Sequence, residues 1–317
     1  MISIIEDKEV QTLIDRHEAI DVIERTYRAA AMGKADVSNP AALSLRGPAG
    51  TGTSFKIKGA LLEDMNVAGF RLVGDTSSAG EHGSSYVYLL DATSATPHAL
   101  ISEQWLHRLR TAATGLVGCR ALAPTKPRTL ALIGTGRIAE EFIRLVHLGF
   151  PSLPIVVASR SSERARDATR RWRSLTSNPL SAADSVPEAV RNSDIIITLS
   201  DADTRLFSAE DLKVRALVCA MGGRHEFDVD VLNAATCFVV DEIDFVCTTG
   251  NGAHWISSGQ ISRPMLEKRV NATIGDVLLG RKSVENDGVV LTIIQGMAVC
   301  DVALAKLAFD RKTAAKS

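Results

Sequence analysis

Residues 129–146, TLALIGTGRIAEEFIRLV, have the composition and spacing of a dinucleotide-binding turn. An apolar run predicts a strand, Gly134, Gly136 and Ala139 follow in the spacing G-x-G-x-x-A, and a helical pattern begins there. The first glycine permits the tight turn, the second lets a pyrophosphate approach, and the small third residue allows close helix–strand packing. A plain strand-to-helix turn is the alternative. The predicted cofactor-binding residues of the loop are Gly134, Thr135, Gly136, Arg137 and Ile138.

The second apolar run of this half, residues 154–159, should end near the adenosine ribose. Enzymes that use NAD commonly place an acidic residue there to bind the ribose 2′-hydroxyl. This chain has Ser159, Arg160 and Ser161 instead, and Arg137 adds positive charge in the glycine loop. Hydroxyls and a guanidinium suit a 2′-phosphate, so we predict NADP(H) in preference to NAD(H). The alternative is that Arg160 is a solvated surface residue and either cofactor binds.

The elements that must position this loop alternate between strand and helix. Several apolar runs of the type found in parallel sheets are separated by helical segments at residues 162–172 and 185–192. The apolar runs are residues 129–133, 154–159, 194–200, 215–221 and 237–242. The pattern predicts an α/β domain with a Rossmann-type, doubly wound parallel sheet.

The N-terminal third has a different pattern. A helix opened by Asp15 or His17 is followed by short apolar runs that predict strands of a mixed or antiparallel sheet. Residues 102–122 predict a long helix with Ser102 as its N-cap. A proline-containing linker follows at residues 123–127, and residues 287–309 predict one long, largely apolar helix that returns to the N-terminal domain.

The totals exclude several classes of protein. A net charge of −1 offers no basic surface for a nucleic acid. The first residues lack the pattern of a signal peptide, and no apolar run approaches the ~18 residues of a membrane span. The five cysteines are scattered without zinc-binding spacing. We therefore expect a cytoplasmic protein with reduced thiols, no metal site, and no nucleic-acid or membrane partner.

Residues 109–114, LRTAAT, resemble a motif of the ornithine cyclodeaminase/μ-crystallin family. Segments similar to the family continue in order along essentially the whole chain, at residues 89–101, 133–143, 194–204 and 274–283, with Gly296 and Asp301 after them. The resemblance implies a Rossmann domain, residues 124–287, inserted in an α+β substrate-binding and dimerisation domain, residues 1–123 plus 288–317. It also implies a homodimer and an amino-acid or imino-acid substrate.

Members of this family carry out several reactions, which share hydride transfer between a nicotinamide and the α-carbon of an amino or imino acid. We predict an NAD(P)-dependent oxidoreductase that acts on the C–N bond, as a ketimine reductase or an amino-acid or opine-like dehydrogenase. One alternative is an ornithine cyclodeaminase. Another is a μ-crystallin-like protein that binds NADPH and a small ligand with little turnover.

The resemblance also implies roles for individual basic residues. Arg46 and Arg110 match the arginines that hold the substrate carboxylate, and guanidinium suits that task. Arg71 stands where the family has its active-site lysine, and arginine does not release its proton. We expect only one of Lys56 and Lys58 on the preceding strand to face the site and to take over proton transfer. A lysine of an edge strand is the alternative.

The loop at residues 221–228 departs from the cyclodeaminase pattern, because the position of the catalytic aspartate is lost or filled by Arg224. This argues against cyclodeamination and leaves His225 as the nearest acid–base residue, with a solvated loop histidine as the alternative. Residues 240–246 loosely resemble the diaminopropionate-forming branch and favour a larger, polar substrate. The strand ends that match the family supply four more predicted cofactor-binding residues: Thr198, Leu199, Ser200 and Met221.

Overall fold

The computed structural model of the chain describes residues 2–75, 84–285 and 287–315. The first of its two compact units combines the chain up to Arg110 with the chain from Met297 onward, and the second is Thr111–Gly296. The strands are β1 Ser3–Ile5, β2 Ala35–Val37, β3 Leu43–Arg46, β4 Ser54–Leu62, β5 Val67–Asp75, β6 Ser85–Asp91, β7 Pro97–Ser102, β8 Leu130–Ile133, β9 Ile155–Ala158, β10 Leu180–Ala182, β11 Ile195–Thr198, β12 Ala216–Ala220, β13 Ala235–Val240, β14 Ala272–Thr273 and β15 Val289–Ile293. The helices are α1 Asp7–Leu13, α2 Arg16–Ala31, α3 Gln104–Leu122, α4 Arg137–Gly149, α5 Ser162–Trp172, α6 Val186–Arg191, α7 Val229–Ala234, α8 Ile243–Val246, α9 Gly250–Ser257, α10 Arg263–Arg269, α11 Ile274–Leu278 and α12 Ala298–Ala314.

The first unit contains a mixed sheet in the order β1-β7-β6-β5-β4-β2, with β3 also paired to β4. β1 runs parallel to β7, and the other pairs are antiparallel. Helix α12 packs across β4, β5 and β6. The contact is close at Gly69, where an added Cβ would stand 3.0 Å from Val302. The strands predicted in this region are confirmed, as is Asp15 as the N-cap of α2.

The second unit contains a parallel sheet in the order β10-β9-β8-β11-β12-β15-β13-β14. The chain steps outward from β8 through β9 to β10 and then returns to the other side of β8 at β11. The strand order therefore reverses between β8 and β11, which is where open α/β sheets bind ligands at the carboxyl ends of their strands. The predicted fold class, a doubly wound Rossmann-type sheet with a second α+β domain, is confirmed.

Two local predictions were wrong. Residues 287–309 do not form one helix, because β15 inserts between β12 and β13 and α12 begins only at Ala298. The run VVLTI is rich in β-branched residues, which favour a strand, and Gly296 has a φ of 84° that breaks any continuing helix. Ser102 is the last residue of β7 and not a helix cap. The Asp7 carboxylate accepts instead from the Trp105 backbone N–H at the start of α3, at 2.7 Å.

The chain passes from one unit to the other at residues 110/111 and 296/297, whereas the predicted domain boundaries are 123/124 and 287/288. The difference arises because most of α3 belongs to the second unit and because β15 is hydrogen-bonded within the parallel sheet. Among the described residues, no helix is both long enough and apolar enough to cross a membrane.

Candidate active site

The glycine loop of the second unit joins β8 to α4. Gly134 has a φ of 127°, and a Cβ there would stand 2.3 Å from the Leu199 carbonyl oxygen. The backbone conformation and the packing of the protein therefore require glycine at this position, whether or not a cofactor is bound. Gly136 is the N-cap residue of α4 with an ordinary φ of −83°, and a Cβ there would meet no described atom within 4 Å. The space beside Gly136 is the room that a bound pyrophosphate would need.

The strand ends align at the same edge of the parallel sheet. Ile133 pairs with Ala158 on one side and with Thr198 on the other, and Thr198 pairs with Ala220. The residues that follow these ends therefore come together at the carboxyl edge, although they are distant in sequence. This edge holds the predicted cofactor residues Gly134, Thr135, Gly136, Ser159, Arg160, Thr198, Leu199, Ser200 and Met221, with Arg137 and Ile138 in the first turn of α4.

The turn after β9 orders its own backbone through its serines. The Ser159 hydroxyl donates to the Ser161 carbonyl oxygen at 2.6 Å, and Ser161 is the N-cap of α5, accepting from the Arg164 N–H at 3.3 Å. The Arg160 side chain between them is exposed and makes no hydrogen bond or ion pair with the residues that the structure describes. A guanidinium beside a helix N-terminus can bind an anion directly.

A buried carboxylate, Glu226, connects two loops of this edge. Its oxygens accept from the hydroxyls of Thr198 and Ser200, at 2.5 and 2.6 Å, and from the Gly222 N–H at 3.2 Å. A Cβ at Gly222 would stand 2.3 Å from the Glu226 carboxyl carbon. Burial raises the pKa of Glu226, and the hydrogen bonds from Ser200 and Thr198 act in the opposite direction. Glu226 thus fixes the loop after β11 against the loop after β12.

His225 lies beside Glu226 but takes part in a separate contact. Its Nε2 is 3.0 Å from Asp228 Oδ1, and its ring stacks on His254 with centroids 3.6 Å apart. Burial lowers the pKa of His254, and the neighbouring His225 acts in the same direction. The near-parallel rings, at 10°, do not direct their nitrogen lone pairs to one point as metal ligands would. Arg224 is exposed and lies 3.8 Å from Asp203.

The first unit contains a buried group of charges that we call the charged cluster: Lys58, Arg71, Glu103, Arg110 and Asp301. Arg71 Nε donates to Glu103 Oε1 at 2.5 Å, and Arg110 Nε donates to Asp301 Oδ1 at 2.5 Å. Each buried arginine therefore has a carboxylate partner, which offsets the cost of burying its charge. Burial raises the pKa of Glu103, although Arg71 opposes that effect.

His107 borders the charged cluster on α3. Its Nδ1 is 3.0 Å from Arg110 Nη2 and 3.7 Å from Glu103 Oε1. The pKa of His107 lies well below its ordinary value, because desolvation and then the positive charge of Arg110 disfavour the imidazolium. A neutral His107 can accept the Arg110 N–H and orient that guanidinium.

Lys56 and Lys58 lie on the same face of β4, so the expectation that only one of them faces the site was wrong. Residues two apart on a strand point to the same side. Lys58 pairs across the strands with Arg71, is 5% exposed, and belongs to the charged cluster. Lys56 lies one pleat further out and is half-buried.

The two lysines differ in their electrostatic surroundings. Burial lowers the pKa of Lys58 to about 7, with Asp301 opposing the shift and the nearby cations reinforcing it. Burial also lowers the pKa of Lys56, and the positive charge of Arg71 lowers it further. Lys58 is thus the side chain of this face that can gain and lose a proton near neutral pH.

Arg46, the remaining predicted carboxylate-binding residue, lies at the end of β3. It pairs with Ser54, and Ser44 pairs with Lys56, so the side chain of Arg46 is on the same face of the sheet as Lys56 and Lys58. The side chain of Arg46 is exposed and makes no hydrogen bond or ion pair with the described part of the chain. The sheet therefore brings Arg46, Lys56 and Arg71 to one face, and α3 adds Arg110.

Three acidic residues of these sites were not singled out as functional from the sequence: Glu103, Glu226 and Asp301. Each is buried and bonded to residues of the predicted site. The signal in the sequence is weak, because Asp301 stands in an apolar helix and its partner Arg110 is 191 positions away. One oxygen of Asp301, Oδ2, is buried without a hydrogen-bond partner among the described residues and can accept from a bound ligand.

Comparison with known proteins adds independent findings. The model of the ornithine cyclodeaminase/mu-crystallin family matches residues 1–316. Delta(1)-pyrroline-2-carboxylate reductase of Bacillus cereus is 26% identical over 232 residues, which cover 71% of this chain and 70% of the relative.

Two solved structures share the fold. The first is Thermococcus litoralis Delta(1)-pyrroline-2-carboxylate reductase in complex with NADH and L-proline, which has a TM-score of 0.89 and 19% identity over 99% of this chain and 98% of that chain. The second is an archaeal alanine dehydrogenase dimer with bound NAD, which has a TM-score of 0.89 and 23% identity over 100% of this chain and 97% of that chain.

Proposed function

The chain belongs to the ornithine cyclodeaminase/mu-crystallin family, and we propose that it is an NAD(P)-dependent oxidoreductase acting on the C–N bond of an amino acid or its imine. The observation that carries the proposal is the burial of Lys58 beside its cross-strand partner Arg71 and beside Arg110 of α3, where desolvation lowers the pKa of Lys58 to about 7. The open turn at Gly136 in the second unit supports a dinucleotide cofactor. The bound nicotinamide supplies a hydride to the substrate α-carbon in reduction and accepts one in oxidation.

The arginines of the charged cluster hold the substrate carboxylate. Arg110 uses Nε for Asp301 and Nη2 for His107, and Arg71 uses Nε for Glu103. These contacts hold each guanidinium in a fixed orientation. A guanidinium has five N–H donors, and the remaining ones can bind a carboxylate. Such positioning lets the α-carbon be presented in one orientation for hydride transfer.

Lys58 moves the proton. In reduction, the ammonium group of Lys58 donates a proton to the imine nitrogen, and the C=N double bond becomes the C–N single bond of the amine with the hydride that a bound nicotinamide would supply to the imine carbon. Neutral Lys58 then regains a proton from water. We assign this role to Lys58 and not to Lys56 or His225, because Lys58 is buried beside Asp301 and Arg110 and its pKa of about 7 suits acid–base catalysis.

Lys56 and Arg46 supply further positive charge on the same face. His225 is assigned to the loop structure, because its ring is stacked on His254 and bonded to Asp228. Glu226 positions Thr198, Ser200 and Gly222 at the cofactor edge.

The experiment that tests the function is a measurement of absorbance at 340 nm with purified protein. NADPH and NADH are combined with cyclic imines such as pyrroline- and piperideine-2-carboxylate, and with 2-oxo acids plus ammonium or methylamine. Oxidation of NADPH with a cyclic imine, or with a 2-oxo acid only when the amine is also present, supports the proposal. Binding of NADPH without turnover on the whole panel contradicts it, and release of ammonia from ornithine without net change at 340 nm indicates a cyclodeaminase.

We propose that NADP(H) is preferred, with Arg160 binding the 2′-phosphate. Replacing Arg160 by alanine should raise the KM for NADPH about tenfold or more, because a charge-assisted contact is lost, while the KM for NADH changes little. Steady-state kinetics with both cofactors measure this. The control is Arg171→Ala, an exposed arginine near the other end of α5. Equal effects of Arg160→Ala on both cofactors would contradict the assignment.

A homodimer is also proposed, and the outer face of the sheet in the first unit supports it. Leu45 pairs with Phe55, and Phe70 and Leu72 continue the same face on β5. These side chains are 60%, 45%, 45% and 39% exposed. A large apolar sheet face in water favours association, and a second copy of the chain would present the same face, as an isologous dimer requires.

Replacing Phe70 by glutamate is expected to convert the dimer to a monomer, because a charge would be buried at the centre of the apolar face. Size-exclusion chromatography with light scattering measures the mass. Met265→Glu provides the matched control, since Met265 is an exposed apolar side chain (61%) of α10 in the second unit. A dimer that persists in Phe70→Glu would reject this face as the interface.

We propose a cytoplasmic location, which the five free cysteines support.

A further inference from the structure

The sheet face that carries Lys58 has more positive charge than one substrate carboxylate needs. Within the charged cluster, Arg71 is paired with Glu103 and Arg110 with Asp301. Outside it, the side chains of Arg46 and Lys56 form no hydrogen bond or ion pair within 4.0 Å to any residue in the described ranges. Asp75, the cross-strand neighbour of Ser54, lies on the same face, and the two cationic side chains outnumber this carboxylate. The excess positive charge is available to an anion from outside the chain.

The strand register fixes where these two groups lie. Ser44 on β3 is the cross-strand neighbour of Lys56, and Arg46 is the neighbour of Ser54, so Arg46 and Lys56 are diagonal neighbours on one face. Diagonal neighbours are within reach of long side chains. Lys56 is in turn two residues from Lys58 on β4. The cations therefore run in a row from the buried charged cluster to the exposed end of β3.

The electrostatics of Lys56 agree with an anion site. The side chain is half-buried, and its pKa is lowered by burial and then by Arg71, with Asp75 acting in the opposite direction. In the free protein, burial removes water from the Lys56 ammonium group and Arg71 repels that group, so both effects disfavour its charged form. The negative charge of a ligand carboxylate placed among these cations offsets the mutual repulsion and compensates for the lost hydration, whereas an ordinary solvated surface lysine has neither cost.

We infer that the substrate carries a second carboxylate, bound by Lys56 and Arg46, and that the protein acts on a dicarboxylic amino or imino acid. The α-carboxylate binds at Arg71 and Arg110, and the distal carboxylate extends along the same sheet face toward β3. Arg46, for which the family resemblance implies the first substrate carboxylate, is thereby reassigned to the second. This inference rests on the proposed function, because it assigns the second carboxylate to the substrate of that reaction.

The test compares matched substrates that differ in the distal carboxylate. With NADPH and ammonium, kcat/KM is measured at 340 nm for 2-oxoglutarate against 2-oxopentanoate and for oxaloacetate against 2-oxobutanoate. We expect the dicarboxylic member of at least one pair to be favoured about tenfold or more. Lys56→Met and Arg46→Gln should each reduce that preference severalfold or more.

Lys8→Met serves as the control variant, because Lys8 is an exposed lysine of α1, and it should leave the preference unchanged. Reduction of monocarboxylic imines without a preference for the dicarboxylic partner overturns this inference and leaves the proposed function intact. A dicarboxylate preference that survives in both Lys56→Met and Arg46→Gln overturns the assignment of these residues. Absence of C–N reduction with every substrate overturns the proposed function, and this inference with it.

Discussion

Replacing Lys58 by methionine is expected to lower kcat for imine reduction by about 10²- to 10⁴-fold, the usual contribution of a general acid or base. Methionine fills a similar volume but has no proton to donate. The effect on folding should be small, because the change removes a buried charge whose pKa is lowered by desolvation and leaves Asp301 bonded to Arg110. The measurement is steady-state kinetics together with thermal unfolding.

The pH dependence separates proton transfer from charge alone. With a pKa of about 7, Lys58 is protonated below that pH and neutral above it. Reduction needs the protonated form, so kcat/KM should fall as pH rises through about 7, and the oxidative direction should rise over the same range. Lys58→Met should remove this titration from the profile.

Lys58→Arg provides the sharper comparison. Arginine keeps the positive charge but does not release its proton near neutral pH. A proton-transfer role therefore predicts that Lys58→Arg stays as inactive as Lys58→Met within about tenfold, whereas a purely electrostatic role predicts substantial recovery. Lys56→Met is the companion variant in the same strand, and its pH profile should keep the step near pH 7. Wild-type kcat and an unchanged pH profile in Lys58→Met would eliminate Lys58 as the proton carrier.

The same pKa shift has a consequence for folding stability. Because the pKa of Lys58 is lower in the folded chain than in the unfolded chain, the unfolded state binds more protons between the two values. The contribution of Lys58 therefore disfavours folding most below about pH 7 and becomes less unfavourable as pH rises. Lys58→Met should remove this component of the pH dependence.

Substituting alanine at Gly136 and at Gly134 is expected to separate cofactor binding from folding. At Gly136 the φ is ordinary and an added Cβ meets no described atom, so Gly136→Ala should unfold at nearly the wild-type temperature. Its affinity for NADPH should nevertheless fall about tenfold or more, since the methyl group occupies the space that a pyrophosphate approaches. Fluorescence titration with NADPH and thermal unfolding measure the two effects.

Gly134→Ala should behave differently, because its φ of 127° and the Leu199 carbonyl oxygen at 2.3 Å leave no room for a Cβ. Backbone strain of this kind costs about 1–3 kcal/mol at least, so the free energy of unfolding should decrease even without cofactor. Gly74→Ala in β5 of the first unit is the control, because an added Cβ there would make only ordinary contacts of 3.5 to 3.7 Å. Unchanged NADPH affinity in Gly136→Ala would remove the glycine loop from the cofactor site.

Much of this protein was predictable from local patterns in the sequence. Period-two runs such as VAGFRLVGD become strands because one face of the sheet is buried. The helix at residues 162–172 and the N-cap at Asp15 follow from short-range side-chain chemistry. The glycine loop is recognisable because its steric requirements are met by residues adjacent in the chain.

The tertiary structure alone decided which groups titrate and which are paired. Arg110 finds Asp301 across 191 positions, and Arg71 finds Glu103 across 32, so no local pattern could reveal these partners. The choice of Lys58 over Lys56 depends on burial beneath α12, because a pKa is set by desolvation and neighbouring charge. Likewise, β15 is a strand because the sheet has a position between β12 and β13 for its apolar side chains, which the sequence alone cannot distinguish from a buried helix.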